Sequence, residues 1–401
     1  MSPVSNLLAG VSVLDLTRNL AGPYCTMLLA DLGAEVTKVE APVTGDDTRQ
    51  WQPPGWSGES ATFLACNRGK RSIAVDLDTA EGQEIVRQLA SRCDVVISSF
   101  RPQSLDKRGL DYETLRREHP ELIYCTISAY GSTGPKQDWP GYDPVLQAES
   151  GLMALNGYPD GPPARLAIGA IDLGTALWAA LGIQAALRSR EQTGVGSLVE
   201  LSLYETTAWW LSYHIAGLLG SGEVPGRNGT AAPFLAPYEL FETADRQLMV
   251  CAGNDGMFHA LCRALEVPEL VDDPAYRSNS DRVANRQRLH VLLEERLRQR
   301  PAAEWHATLR EHSVPCSPVS TIDEFVNDSQ LAALGLLQPV EHQHIPDLRL
   351  VGSPMHLDGE RPTTNLPPPT LGEHTASVLT DLGYSEEQVR DLLARGVVAG
   401  E

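Results

Sequence analysis

Asp172 stands just ahead of Gly174 and an apolar helical run, Thr175–Arg188. A carboxylate at a helix start meets free N–H groups and the positive end of the helix dipole. That setting suits an ordinary capping aspartate. It suits a nucleophilic carboxylate equally, because the dipole that favours a cap also keeps the group ionised. The residues alone leave both readings open. A second group of interest is cationic: Arg101, Lys107 and Arg108 follow the strand-like segment Asp94–Phe100. Such a run is either a local anion site or a solvated charged face.

Other chemistry is poorly supported. The turn after the first apolar run reads Arg18-Asn19-Leu20-Ala21-Gly22-Pro23, without the G-x-G-x-x-G of a dinucleotide site. Gly69-Lys70-Arg71-Ser72 resembles the end of a phosphate loop, but it lacks the upstream glycine and leads into a strand. There is no G-x-S-x-G elbow and no H-E-x-x-H. His342 and His344 have no acidic or cysteine neighbour in sequence to complete a metal site. Seven scattered cysteines without a CxxC pair argue against a disulfide framework or a zinc site.

The 401 residues carry 32 Lys and Arg against 52 Asp and Glu, a net charge of −20. An acidic chain of this kind is poorly suited to nucleic acid or an anionic membrane, and any polyanionic ligand requires locally gathered cations. The apolar stretches carry Gly, Asp or Ser interruptions and fall short of the roughly 20 residues of a membrane span. With no signal-type N-terminal segment, the expected location is the cytoplasm.

The elements that must position these residues alternate. Val11–Leu16, Ala34–Val39, Ser72–Leu77, Asp94–Phe100 and Leu122–Ser128 read as strands, and Tyr24–Leu32, Glu81–Ser91 and Tyr112–Glu118 as helices between them. Strands alternating with helices predict a Rossmann-like parallel sheet covered on both faces, with ligands at its C-terminal strand edge. Pro144–Leu155 reads as a further helix. The Gly- and Pro-rich stretch Ser221–Pro237 marks a lobe boundary. The expected organisation is a large α/β domain over 1–224, a smaller α+β domain over 225–325, and a segment over 326–401 that returns to the large one.

A series of ordered motifs then carries a resemblance. They include Asp15-Leu16-Thr17-Arg18 with Ala21-Gly22-Pro23, Lys38-Val39-Glu40, Asn67-Arg68-Gly69-Lys70-Arg71-Ser72 and Phe100-Arg101-Pro102. Gly141-Tyr142-Asp143, Ile171-Asp172-Leu173-Gly174, Ala252-Gly253-Asn254-Asp255 and Leu371-Gly372-Glu373-His374-Thr375 follow in order. From about Leu14 to Val398 the chain resembles the class III CoA-transferase family, the carnitine and formyl-CoA transferase type, which also includes α-methylacyl-CoA racemases.

The resemblance implies a CoA-transferase with Asp172 as covalent nucleophile, passing through an aspartyl anhydride and an aspartyl-CoA thioester. It implies an interlocked homodimer and no permanently bound cofactor or metal; coenzyme A and its acyl esters are substrates, with a carboxylic acid as acceptor. Leu20, Ala21, Val75, Leu77, Ser99, Phe100, Arg101, Lys107 and Arg108 match CoA-contacting positions. Tyr142 and Asp143 match a pair near the nucleophile, with a core tyrosine and a turn aspartate as the plainer reading. Gly229 and Thr230 open the turn Gly229-Thr230-Ala231-Ala232, whose N–H groups are candidate oxyanion donors, although the run of glycines that some relatives carry there is missing. Racemases of the family hold histidine where this chain has Tyr142, which favours transfer over racemisation. A non-catalytic acyl-CoA-binding protein is the remaining alternative, and the presence of Asp172 speaks against it.

Overall fold

The computed structural model describes residues 6–364 and 366–400. Six strands, β1 (Ser12–Leu16), β2 (Glu35–Glu40), β3 (Lys70–Val75), β4 (Val95–Ser98), β5 (Ile123–Ser128) and β6 (Leu198–Ser202), pair in parallel. Their order is β3-β2-β1-β4-β5-β6, and the short strand Val398–Ala399 adds antiparallel to β3 at the edge. All four residues of β4 are buried, as a parallel sheet covered on both faces requires. The order reverses between β1 and β4, so the crevice for a ligand opens beyond the ends of those two strands.

Helices cover both faces. Those used below are α1 (Ala21–Asp31), α2 (Ala80–Ala90), α3 (Asp143–Glu149), α4 (Ala170–Thr193), α5 (Leu203–Trp210), α6 (Thr375–Leu382) and α7 (Glu386–Ala394). On one face Ile85, Leu89, Val378, Leu379 and Leu392 of α2, α6 and α7 pack on Leu14, Ile73 and Val96. On the other, Cys25 and Leu29 of α1 and Ile171, Ala176 and Ile183 of α4 pack on Val13, Val95 and Ile123.

Two predicted helices differ from those observed. The run expected at Thr175–Arg188 begins five residues earlier, at Ala170, and ends at Thr193. At 24 residues α4 is long and apolar enough to cross a membrane, contrary to the expected shortfall, yet its inner face is packed in the core just described. The stretch Pro144–Leu155 is two helices, α3 and Leu152–Leu155, because Gly151 turns the chain at φ +87°.

The chain forms two compact units. One comprises Met1–Ser150, Ala167–Ser212 and Ala332–Glu401; the other comprises Gly151–Leu166 and Tyr213–Leu331. The divisions fall at 212/213 and 331/332, where the sequence pattern placed them at 224/225 and 325/326, and residues 151–166 group with the second unit. That unit holds a three-stranded antiparallel sheet of Tyr238–Glu242, Gln247–Cys251 and Cys316–Pro318. Its core is built from Phe241, Leu248, Val250, Phe258, Leu293 and Trp305.

Candidate active site

Asp172 occupies the third position of α4, and Gly169 is the residue ahead of the helix. It is therefore not the cap. That role falls to Asp143, the buried first residue of α3, whose Oδ2 accepts from Ile171 N (2.7 Å) and Asp172 N (3.2 Å). The other early amides are also used: Ala170 N donates to Ile168 O and Leu173 N to Gly169 O, each at 2.9 Å. The dipole end of α4 is thus already answered by a carboxylate. Tyr142, next to Asp143, is 58% exposed, so it is not a core tyrosine.

The Asp172 carboxylate itself accepts no hydrogen bond from the described residues and is half-buried. Burial pushes its pKa up first, and the Asp143 charge adds to that, raising it to about 7. The expectation that the helix dipole holds Asp172 ionised is corrected here. Asp143 has taken the N–H groups that would have stabilised the charge, and it contributes a like charge of its own. The result is a carboxylate poised at neutral pH with its oxygens free.

Space around Asp172 comes from glycines. A methyl group on Gly169 would lie 3.3 Å from Leu20 Cδ1 and 3.4 Å from Asp172 Oδ2, so these three residues adjoin. One on Gly174 would lie 2.6 Å from Trp210 Nε1, so only glycine lets the indole pack on α4 here. Trp209 and Trp210 are 57% and 45% exposed.

The strand reversal gathers most of the expected CoA contacts. Leu20 and Ala21 follow β1, while Ser99, Phe100 and Arg101 follow β4. Arg18 N donates to Ser99 Oγ at 3.1 Å, and the Arg18 guanidinium lies 5.2 Å from the centre of the Phe100 ring. Arg18 does not stand out as a site residue in the sequence, because its nearness to the residues after β4 follows only from strand order. Arg101 and Lys107 are exposed, with no carboxylate partner among the described residues. Arg108 is committed elsewhere: it donates to Leu77 O (3.0 Å) and to Ser104 O and Oγ (both 2.7 Å), and pairs with Asp78. It braces the turn holding Leu77. Val75 is 1% exposed and paired with Val398, so its side chain belongs to the core and offers no ligand contact.

Gly229 and Thr230 lie in the second unit. Three of the four amides in their turn are occupied: Gly229 N donates to Gly157 O, Ala231 N to Asn228 O and Ala232 N to Tyr238 O, each at 3.0 Å. Thr230 N is the one without an acceptor among the described residues. No group of three or more His, Cys, Asp or Glu side chains among the described residues is arranged to hold a metal ion.

A parallel sheet whose strand order reverses beside two exposed cations and a half-buried carboxylate suits an enzyme acting on an anionic ligand. Comparison with known proteins identifies the class. The model of CoA-transferase family III matches residues 8–375, and the chain belongs to that family. The chain is 39% identical over 392 residues to the succinyl-CoA:glutarate CoA-transferase of Mus musculus, covering 98% of this chain and 90% of that protein. It is 39% identical over 386 residues to the succinate–glutarate CoA-transferase of Agrobacterium fabrum, covering 94% and 95%. A crystal structure of a CaiB/BaiF family protein from Brucella suis superposes with a TM-score of 0.84 at 38% identity, covering 95% of this chain and 99% of that one. The protein is a CoA-transferase, moving CoA between an acyl-CoA and a carboxylic acid.

Proposed function

We propose that Asp172 is the covalent nucleophile of this transferase and that its substrates are succinyl-CoA and a second dicarboxylic acid. One observation carries the first part: Asp172 is the carboxylate beside the β1–β4 crevice that burial and Asp143 hold near neutrality with both oxygens free of donors. The relatives support the second part, since their names pair succinyl-CoA with glutarate or mesaconate, and acetyl-CoA with oxalate.

In the proposed cycle, ionised Asp172 adds to the thioester carbonyl carbon, and CoA leaves as the thiolate, giving a mixed anhydride. The thiolate adds to the aspartyl carbonyl and expels the donor carboxylate, leaving an aspartyl-CoA thioester. The acceptor carboxylate then attacks that thioester, and the same two steps in reverse release the new acyl-CoA and free Asp172. Covalent storage conserves the thioester's free energy without ATP. Partial burial leaves the carboxylate poorly solvated and hence more nucleophilic than one in water. A serine would give an ester that hydrolysis wastes.

The CoA phosphates are assigned to Arg18, Arg101 and Lys107, with Arg108 holding Leu77 in place. An interlocked homodimer fits the exposed apolar side chains of α4 and α5, among them Leu177, Leu181, Trp209 and Trp210, since contiguous exposed apolar surface marks association sites. The test is a matrix of acyl-CoA donors against mono- and dicarboxylic acids, read by chromatography of the CoA esters. Transfer from succinyl-CoA to glutarate at rates well above those for monocarboxylic acids is expected. Absence of any transfer, with exchange of α-hydrogen for deuterium instead, would replace this reading with racemisation.

A further inference from the structure

Three of the motif segments, Asp15-Leu16-Thr17, Lys38-Val39-Glu40 and Asn67 to Ser72, supply no group to the chemistry above. Their charged side chains meet beneath the crevice. Asp15, Lys38 and Lys70 are wholly buried, Asp46 is 1% exposed and Glu40 4%. Lys70 Nζ lies 3.1 Å from Asp15 Oδ2 and donates to Pro23 O (2.9 Å) and Asn67 Oδ1 (2.8 Å). Lys38 Nζ lies 2.9 Å from Asp46 Oδ2 and donates to Thr17 O at 2.8 Å. Asp15 Oδ1 accepts from Thr17 N at 2.9 Å, and Asp46 Oδ1 accepts from Asn19 N at 3.2 Å.

Stability alone does not account for this arrangement. Desolvating each ion costs several kcal/mol, and apolar replacements of buried pairs are often neutral or stabilising. What Asp15, Lys38, Asp46 and Lys70 share is a destination, because each bonds the backbone between the end of β1 and the first turn of α1, at Thr17 N, Thr17 O, Asn19 N and Pro23 O. Asn19 is held there in the left-handed region at φ +69°. The turn presents Arg18 to Ser99 and Phe100, and Leu20 to Gly169 at the head of α4. Burial opposes ionisation of Asp15, Lys38 and Lys70. The two lysines with the Thr17 and Thr26 hydroxyls more than reverse it for Asp15, and Asp15, Asp46 and Glu40 more than reverse it for Lys38. For Lys70 burial prevails and holds its pKa below the ordinary value.

We propose that Asp15, Lys38, Asp46 and Lys70 are positioning residues that fix the Thr17–Pro23 turn in the conformation that receives acyl-CoA. The proposal rests on the reading of the β1–β4 crevice as the CoA site. A turn freed to shift by an ångström would misplace its ligand contacts while leaving the acceptor acid's own contacts in place.

The test is the double variant Asp15→Asn with Lys70→Met, which removes both charges together and strands neither. Its KM for succinyl-CoA is expected to rise at least about tenfold while that for the acceptor stays within about twofold. A purely structural network would lower the melting temperature and leave both KM values unchanged, and that result overturns the proposal. Should the double variant not fold, Asp46→Ala removes the acceptor of Asn19 N and loosens the same turn from its other side. About a threefold rise in the same KM is then expected, and an unchanged value overturns the proposal. The wild-type enzyme in the same assay separates the two levels: no CoA transfer by wild type refutes the CoA reading, whereas an active wild type with unaltered variants refutes only the positioning role.

Discussion

Replacing Asp143 with asparagine isolates the electrostatic influence on Asp172. The amide keeps an acceptor for Ile171 N and Asp172 N while removing the charge. Asp172 stands at about 7 against an ordinary 3.8, a rise of roughly three pH units in which burial is the larger cause and Asp143 the smaller. As the smaller cause, Asp143 accounts for less than half of that rise. With a pKa near 7, about a tenth of Asp172 is ionised at about pH 6, and any fall in that pKa enlarges the ionised share. Only the ionised form attacks. At that pH, kcat/KM for the acyl-CoA, expressed relative to each enzyme's own alkaline plateau, should therefore be higher in Asp143→Asn than in wild type, by no more than about tenfold. Initial rates over about pH 5 to 9 supply both profiles. An acidic limb that stays where wild type has it, or moves to higher pH, would refute the account of how Asp172 is tuned.

The same geometry carries a stability cost with a definite sign. Because folding raises the pKa of Asp172, its stabilising contribution is complete below about pH 4 and is lost as pH rises through about 7. Asp172→Asn should therefore be more stable than wild type at about pH 8, by about 2 kcal/mol once partial exposure is discounted, and equal to it near pH 4 in thermal melts. Gly22→Ala places a methyl 2.2 Å from Thr17 Cβ, which cannot swing away because it is fixed to the backbone. It should destabilise the protein by about 1–3 kcal/mol in denaturant melts. Arg101→Ala and Lys107→Ala should each raise KM for acyl-CoA about threefold, a loss that added salt reproduces in wild type, with unchanged melting temperature.

Much of the fold is legible in the sequence because a parallel sheet covered on both faces needs nearly continuous apolar strands, and Val95–Ser98 and Ile123–Ser128 show that pattern directly. The start of α4 is not legible, since its capping carboxylate comes from Asp143, 28 residues earlier, and no Ser, Thr, Asn or Asp at the boundary announces it. For the same reason the charge state of Asp172 could not be read: local sequence displays the dipole but neither the burial nor the distant aspartate that outweighs it. The three cations after β4 were visible as a group, yet only the packed structure separates Arg108, spent on Leu77 and Ser104, from Arg101 and Lys107. Nothing in the sequence around Lys38 and Lys70 announces their burial, and only strand pairing brings both close to Asp15.

The claim that Asp172 is the nucleophile is tested most directly by intact-protein mass spectrometry after incubation with succinyl-CoA and no acceptor. A covalent adduct of CoA or succinyl mass is expected, one that hydroxylamine removes, that peptide mapping assigns to Asp172, and that Asp172→Asn does not form. An adduct on another side chain, or full transfer activity in Asp172→Asn, would contradict it.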